Sequence, residues 1–243
     1  MNLPTSTLKV PDFEPSKPLV NPRWERRKEA RPAEIISAAL DLFVEKGFAA
    51  TKLDDIAIRA GVSKGTLYLY FSSKEEMFKA VVRETIVPII KEFAEGLSSS
   101  NLTATEGMDL FFRDWWTKFG STKSSGICKV VIAESGNFPE MALFFQHEVI
   151  EPSHALIGQI IQAGINTGEF RPLDVESACH LVMAPLVIQS IWQHSIGVCQ
   201  PQSHLSDPEQ LIRAHRENMF RAFASDSALA LIAARRLQQA SPR

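Results

Sequence analysis

The sequence predicts an all-α chain: a small N-terminal three-helix, helix-turn-helix unit followed by a larger C-terminal helical bundle. Three observations carry that expectation. From Pro32 onward apolar residues recur at three- and four-residue spacing, and no stretch alternates as a strand does. Capping patterns such as Ser73-x-x-Glu76 and Thr103-x-x-Glu106 open successive segments. Finally, 45% hydrophobic and 22% charged residues over 243 positions supply enough core for one small and one medium domain.

The elements follow in order. Residues 1–22 hold Pro4, Pro11, Pro15, Pro18 and Pro22 without periodicity, which predicts a disordered leader. A basic cluster of Arg23, Arg26, Arg27, Lys28 and Arg31 leads into Pro32, the expected first helical residue. Ile35, Ile36, Ala39, Leu40 and Phe43 form the stripe of that helix, which Gly47 ends. Thr51-x-x-Asp54 starts a short helix closed by Gly61, and Ser63 opens another that reaches Phe71. Ser73 caps a long helix toward Gly96, with a kink at Pro88.

After a polar linker at 98–103, helices are expected from Thr103, over 123–135, from Pro139 to Asn166 with a bend at Pro152, over 175–197 behind Asp174, and from Asp207 onward. The boundaries are a leader 1–22, a helix-turn-helix unit with a basic arm 23–72, a bundle 73–225, and a tail 226–243 with an amphipathic stretch at 227–239.

Charge and composition narrow the function. Residues 1–80 carry 13 Lys+Arg against 11 Asp+Glu, and the remainder 13 against 17. A mildly basic front suits nucleic acid. Cys128, Cys179 and Cys199 are widely spaced with no CxxC, which fits reduced thiols and a cytoplasmic location. Cys128, between Lys123 and Lys129, is a redox candidate. Met1-Asn2-Leu3-Pro4 lacks signal-peptide order, and the apolar stretch 181–192 is interrupted by Pro185 and Gln189, so no membrane span is expected. His194-x4-Cys199-x4-His204 crosses a helix end and lacks a fourth ligand, so neither metal nor cofactor is expected. There is no Ser-His-Asp order, HExxH or phosphate loop; no catalytic residue is assigned and no enzyme is expected.

Residues 53–71 form a short helix, a turn at Gly61 and a second short helix, the geometry that presents the second helix to a major groove. Leu67 and Phe71 fall on the inward face. Gly65, Thr66, Tyr68 and Leu69 face outward, where apolar atoms suit thymine methyls and hydroxyls suit phosphates. Gly65 permits close backbone approach, and Lys74 is placed for a phosphate. One such helix reads few bases, so two from a homodimer on a palindrome are expected.

Residues 32–79 resemble the DNA-binding domain of the tetracycline-repressor (TetR/AcrR) family. The resemblance lies in Ala39-Leu40-Asp41-Leu42-Phe43, Lys46-Gly47-Phe48, Asp55-Ile56-Ala57, Gly61-Val62-Ser63-Lys64-Gly65-Thr66-Leu67-Tyr68, Tyr70-Phe71 and Ser73-Lys74-Glu75. It implies Lys64, Gly65 and Tyr68 at base edges and Thr66, Tyr70 and Lys74 on phosphates. Ser63, Leu69 and Thr51 are further DNA candidates, and Arg26, Arg27 and Lys28 candidates for the minor groove or backbone.

The rear half resembles the family's effector domain at Phe138-Pro139-Glu140 and Gly168-Glu169-Phe170-Arg171. This implies a small-molecule effector and a four-helix dimer interface from helices 175–197 and 208–224, against the alternative that both helices are internal core. Phe112, Trp115, Trp116 and Phe119 exceed one helical stripe. With Phe144, Phe145, His147, Met183 and Trp192 they are the candidate lining for a flat or apolar ligand. The implied function is a repressor of double-stranded DNA released by that effector. The competing readings are an effector-independent architectural DNA-binding protein and a helical-bundle enzyme.

Overall fold

The computed structural model describes residues 22–199 and 207–226, with side-chain surroundings from Pro32 onward. The leader before Pro22, the amphipathic stretch at 227–239, His204 and the side chains of the basic cluster lie outside the described residues.

Helix α1 spans Pro22–Lys46 and carries Pro32 inside it, not at its start as the sequence predicts. The residues ahead of the proline, Glu25 to Ala30, are strong helix formers, and a proline removes only one backbone donor. Ile35, Ala39, Leu42 and Phe43 of α1 are buried. Two short helices follow, α2 (Leu53–Arg59) and α3 (Lys64–Tyr70). The expected cap at Thr51 is absent, because Lys52 takes the N-cap position without a side-chain bond. At α3 the expectation holds: Ser63 Oγ accepts from Thr66 N–H at 3.0 Å.

The expected long helix is two, α4 (Lys74–Thr85) and α5 (Val87–Ser99), broken at Ile86 beside Pro88, which sits in the first turn of α5. Thr103 and Glu106 make the full reciprocal capping box of α6 (Ala104–Asp114), which runs into a π-helical stretch, Trp115–Gly120. A 3₁₀ turn (Lys123–Gly126) leads to α7 (Ile127–Glu134). Helix α8 (Pro139–Phe145) joins α9 (Glu151–Thr167) through a second π-helical stretch, Gln146–Ile150, which lies just ahead of Pro152.

Asp174 caps α10 (Val175–Gln193), which stops short of residue 197 and is followed by α11 (Ile196–Cys199). Asp207 caps α12 (Pro208–Phe223). Among the described residues there is no strand, only an isolated bridge between Phe170 and Ala224. Helix α10 is long and apolar enough to cross a membrane, contrary to the length expected from the sequence. It packs against α9, α7 and α12 and buries the polar Gln189 and Ser190.

One continuous core links front and rear. Phe43, Phe48 and Phe78 meet with ring centroids 5.5 to 5.9 Å apart, and Phe138 from the rear stacks edge-on to Phe48 at 4.8 Å. Helix α7 fastens the joint. Lys129 Nζ donates to Val44 O at 2.6 Å and His194 O at 2.9 Å, and Glu134 Oε1 accepts from Ala49 N–H at 3.0 Å. Gly126 permits this approach, since a Cβ there would lie 2.7 Å from Val44 Cγ1.

Candidate nucleic-acid interface and cavity

The second short helix is held by its inner face. Leu67 is fully buried and Phe71 half-buried, while Tyr68 is 46% and Leu69 83% exposed. Gly61, with φ at +66°, makes the turn between α2 and α3 in a conformation that side-chain-bearing residues rarely adopt. Helix α2 is tied back to α1 by Arg59, whose two terminal nitrogens reach Glu45 at 2.9 and 3.2 Å, and by Lys46 to Asp55 at 3.1 Å. Hydrogen bonding to Arg59 holds the Glu45 carboxyl below its ordinary range.

Ser63, Lys64, Gly65, Tyr68, Leu69 and Tyr70 therefore lie together on one exposed surface, with Thr66 half-buried beside them. Lys64 rests on Asp54 at 2.9 Å, an exposed pair that a stronger anion displaces at small cost.

Two residues behave differently from their prediction. Thr51 is 1% exposed; its hydroxyl donates to Gly47 O at 2.7 Å, with Leu42 O at 3.2 Å, so its side chain is a core hydrogen bond and not a phosphate ligand. Lys74 Nζ donates to Phe48 O at 2.7 Å and Ala49 O at 3.1 Å and sits 4.5 Å from the Phe48 ring centroid. It anchors the loop after α1 and keeps one N–H for another partner.

Behind this unit the bundle encloses a cavity of about 410 Å³. Of the predicted lining, Trp115, Phe119, Phe145 and Met183 face it. The others do not. Phe112 turns toward α12, 5.4 Å from the His215 ring. Trp116 packs on Gly120, Trp192 on Gly197, and Phe144 lies under Arg83 at 5.0 Å. His147 stands in solvent, 3.0 Å from Glu151. The aromatics four apart share a fate: Trp115 and Phe119 form the stripe that faces the cavity, while Phe112 and Trp116 lie on the neighbouring stripe and turn elsewhere.

The sequence reading missed the wall made by Ile86 at the break and by Ile89, Ile90 and Phe93 of α5, whose three- and four-residue spacing is a legible apolar stripe. It also missed His154, which lies edge-on to His180 at 4.9 Å on the cavity wall. Cys128 faces the cavity as well, and burial pushes its thiol up to about 12; the Lys129 ammonium points instead to carbonyls, so the expected redox activation is overturned.

Residues 35–81 match the family described as bacterial regulatory proteins, tetR family, and residues 106–224 match the C-terminal domain of AefR-like transcriptional repressors. The chain belongs to the TetR family. It is 28% identical to the HTH-type transcriptional regulator YdeS of Bacillus subtilis over 165 residues, which cover 68% of this chain and 80% of that one. It is 24% identical to the fatty acid metabolism regulator protein of the same species, covering 66% and 82%. Among solved structures, FadR from Bacillus subtilis superposes with a TM-score of 0.61 at 21% identity over 78% of this chain and 98% of that one. This TetR-family protein is thus a DNA-binding transcriptional regulator, with its helix-turn-helix in α2 and α3.

Proposed function

We propose that this TetR-family regulator is a cytoplasmic repressor that binds a palindromic operator as a homodimer through α3 and releases it when an apolar small molecule fills the rear cavity. The observation that carries the DNA part is the outward face of α3, where the large side chains of Leu69 and Tyr68 are exposed to water. Lys64, Gly65, Tyr68 and Leu69 reach base edges, while Ser63, Thr66, Tyr70 and the remaining N–H of Lys74 bind phosphates. Arg26, Arg27 and Lys28 add backbone or minor-groove contacts from the front of α1.

Dimerisation is supported by Leu181 and Ile188 of α10, 57% and 61% exposed, and by Leu211 of α12, 39% exposed. The effector part is supported by the apolar cavity, and by relatives: a fatty acid metabolism regulator protein, and FadR, whose crystal structure holds stearoyl-CoA. An architectural protein would have no use for such a cavity.

Duplexes selected from a random library by the full-length protein should be palindromic. Tyr68→Ala and Leu69→Ser should each weaken binding to them by about 1–3 kcal/mol without changing the fold. Unchanged affinity in both variants overturns the assigned face.

A further inference from the structure

Charge enters the effector cavity at one place. Among the residues lining it, Lys118 is the sole lysine or arginine and Asp114 the sole carboxylate. Lys118 extends from the π-helical stretch after α6, and its Nζ reaches Glu92 of α5 at 2.8 Å and Asp114 at 2.9 Å. The lysine side chain is 35% exposed, Asp114 15% and Glu92 63%. The ammonium therefore stands at the rim, where the apolar interior meets water, and its outer partner ties α5 across that rim.

The two partners are unequal. Glu92 is well solvated, so its ion pair is weak and it returns to water at little cost. Asp114 is largely covered and holds Lys118 one helical turn away, so a cationic ligand would have to displace Lys118 from its better-sheltered partner. An anion needs only to displace Glu92. On the other wall, burial and the neighbouring His180 hold His154 below its ordinary range, so it offers no competing charge at neutral pH.

We propose that the effector is an apolar chain ending in an anionic head, and that the head takes the place of Glu92 on Lys118. This rests on the effector reading above and adds to it the chemistry of the head and its consequence. Once Lys118 is engaged by the ligand, α5 loses its tie to the π-helical stretch. Helix α5 continues across the break at Ile86 into α4, which packs on α1, so the exchange of one ion pair reaches the DNA-binding unit.

The same chemistry arises in a free carboxylate or in the phosphates of an acyl thioester. The test uses full-length protein and four probes of one chain length: dodecanoate, dodecanoyl-coenzyme A, dodecan-1-ol and dodecylammonium, followed by calorimetry and by release of the selected duplex. At least one anion should bind about tenfold tighter than the alcohol. Lys118→Met should erase that preference and leave alcohol binding unchanged, which also shows the variant is folded. Glu92→Gln should tighten anion binding. Whichever anion is preferred identifies the source. Alcohol binding as tightly as both anions, or an anion preference that survives Lys118→Met, overturns the head-group assignment and leaves the cavity as an effector site. Failure of all four probes to bind overturns both.

Discussion

Helices α3 and α10 both turn apolar side chains to water, but the surroundings of those side chains differ. On α3, Leu69 and Tyr68 are interleaved with Ser63, Lys64, Gly65 and Thr66, a mixture of methyls, hydroxyls, charge and bare backbone. On α10, Leu181 and Ile188 are exposed, with the exposed Ala184 between them. A duplex offers grooves edged with phosphate and needs the first kind of surface. The proposed second copy of the chain would bury the second kind, because apolar area favours association by being removed from water. Exposure alone does not distinguish a reading face from an assembly face; the neighbours of each exposed residue do.

The largest effect follows from the assembly face. Leu181→Glu combined with Ile188→Glu places two charges in the proposed dimer interface and should give monomer by sedimentation, with operator affinity down by about 100-fold or more, since each tenfold is about 1.4 kcal/mol. A dimer that survives both charges would send the interface elsewhere.

A smaller effect separates two lysines of the front unit. Lys74→Met strands the Phe48 and Ala49 carbonyls and should lower unfolding free energy in urea by about 1–3 kcal/mol. Lys64→Met removes only an exposed pair and should cost about 0–1 kcal/mol of stability while still weakening operator binding. Equal stability losses would mean that Lys74 is not the anchor its hydrogen bonds describe.

The smallest effect is pH dependence, and it belongs to the rear. Burial lowers His215, whose ring reaches Val182 O at 2.9 Å, and burial with nearby Lys129 lowers His194, which meets Ser125 at 2.9 Å. Their folded pKa values lie below the unfolded ones, so the unfolded chain binds more protons in between. The stability they contribute is present above about pH 6.5 and declines as acid is added below it. The urea midpoint should fall between about pH 7 and pH 5, and His215→Gln should flatten that fall; an unchanged slope would remove His215 from the account.

The front unit was legible in the sequence because its signals are local. Ser63 capping α3, Gly61 making its turn, and Leu67 against Tyr68 on opposite faces all follow from spacing within ten residues. Thr51 was misread for the same reason. It occupies a capping position by spacing, yet the carbonyls of Leu42 and Gly47, nine and four residues upstream, claim its hydroxyl. The cavity was only partly legible. Trp115 and Phe119 reach it while Phe112 and Trp116 do not: the spacing separates the two stripes, but which stripe faces the cavity is decided by the distant helices packed around it. Lys118 gave no signal of its own, since its position at the rim depends on Glu92, 26 residues earlier.

Lys129 and Glu134 grip the front unit by its main chain, at Val44 O and Ala49 N–H, and not by any side chain. Every polypeptide carries those two atoms. A front unit with a different reading surface therefore meets the same fasteners, provided its first helix ends at the same place and leaves room for Gly126. These two fasteners would survive domain exchange between relatives, whereas the Phe48–Phe138 stack and the Lys123–Asp41 pair at 2.6 Å ask the incoming unit to keep Phe48 and Asp41.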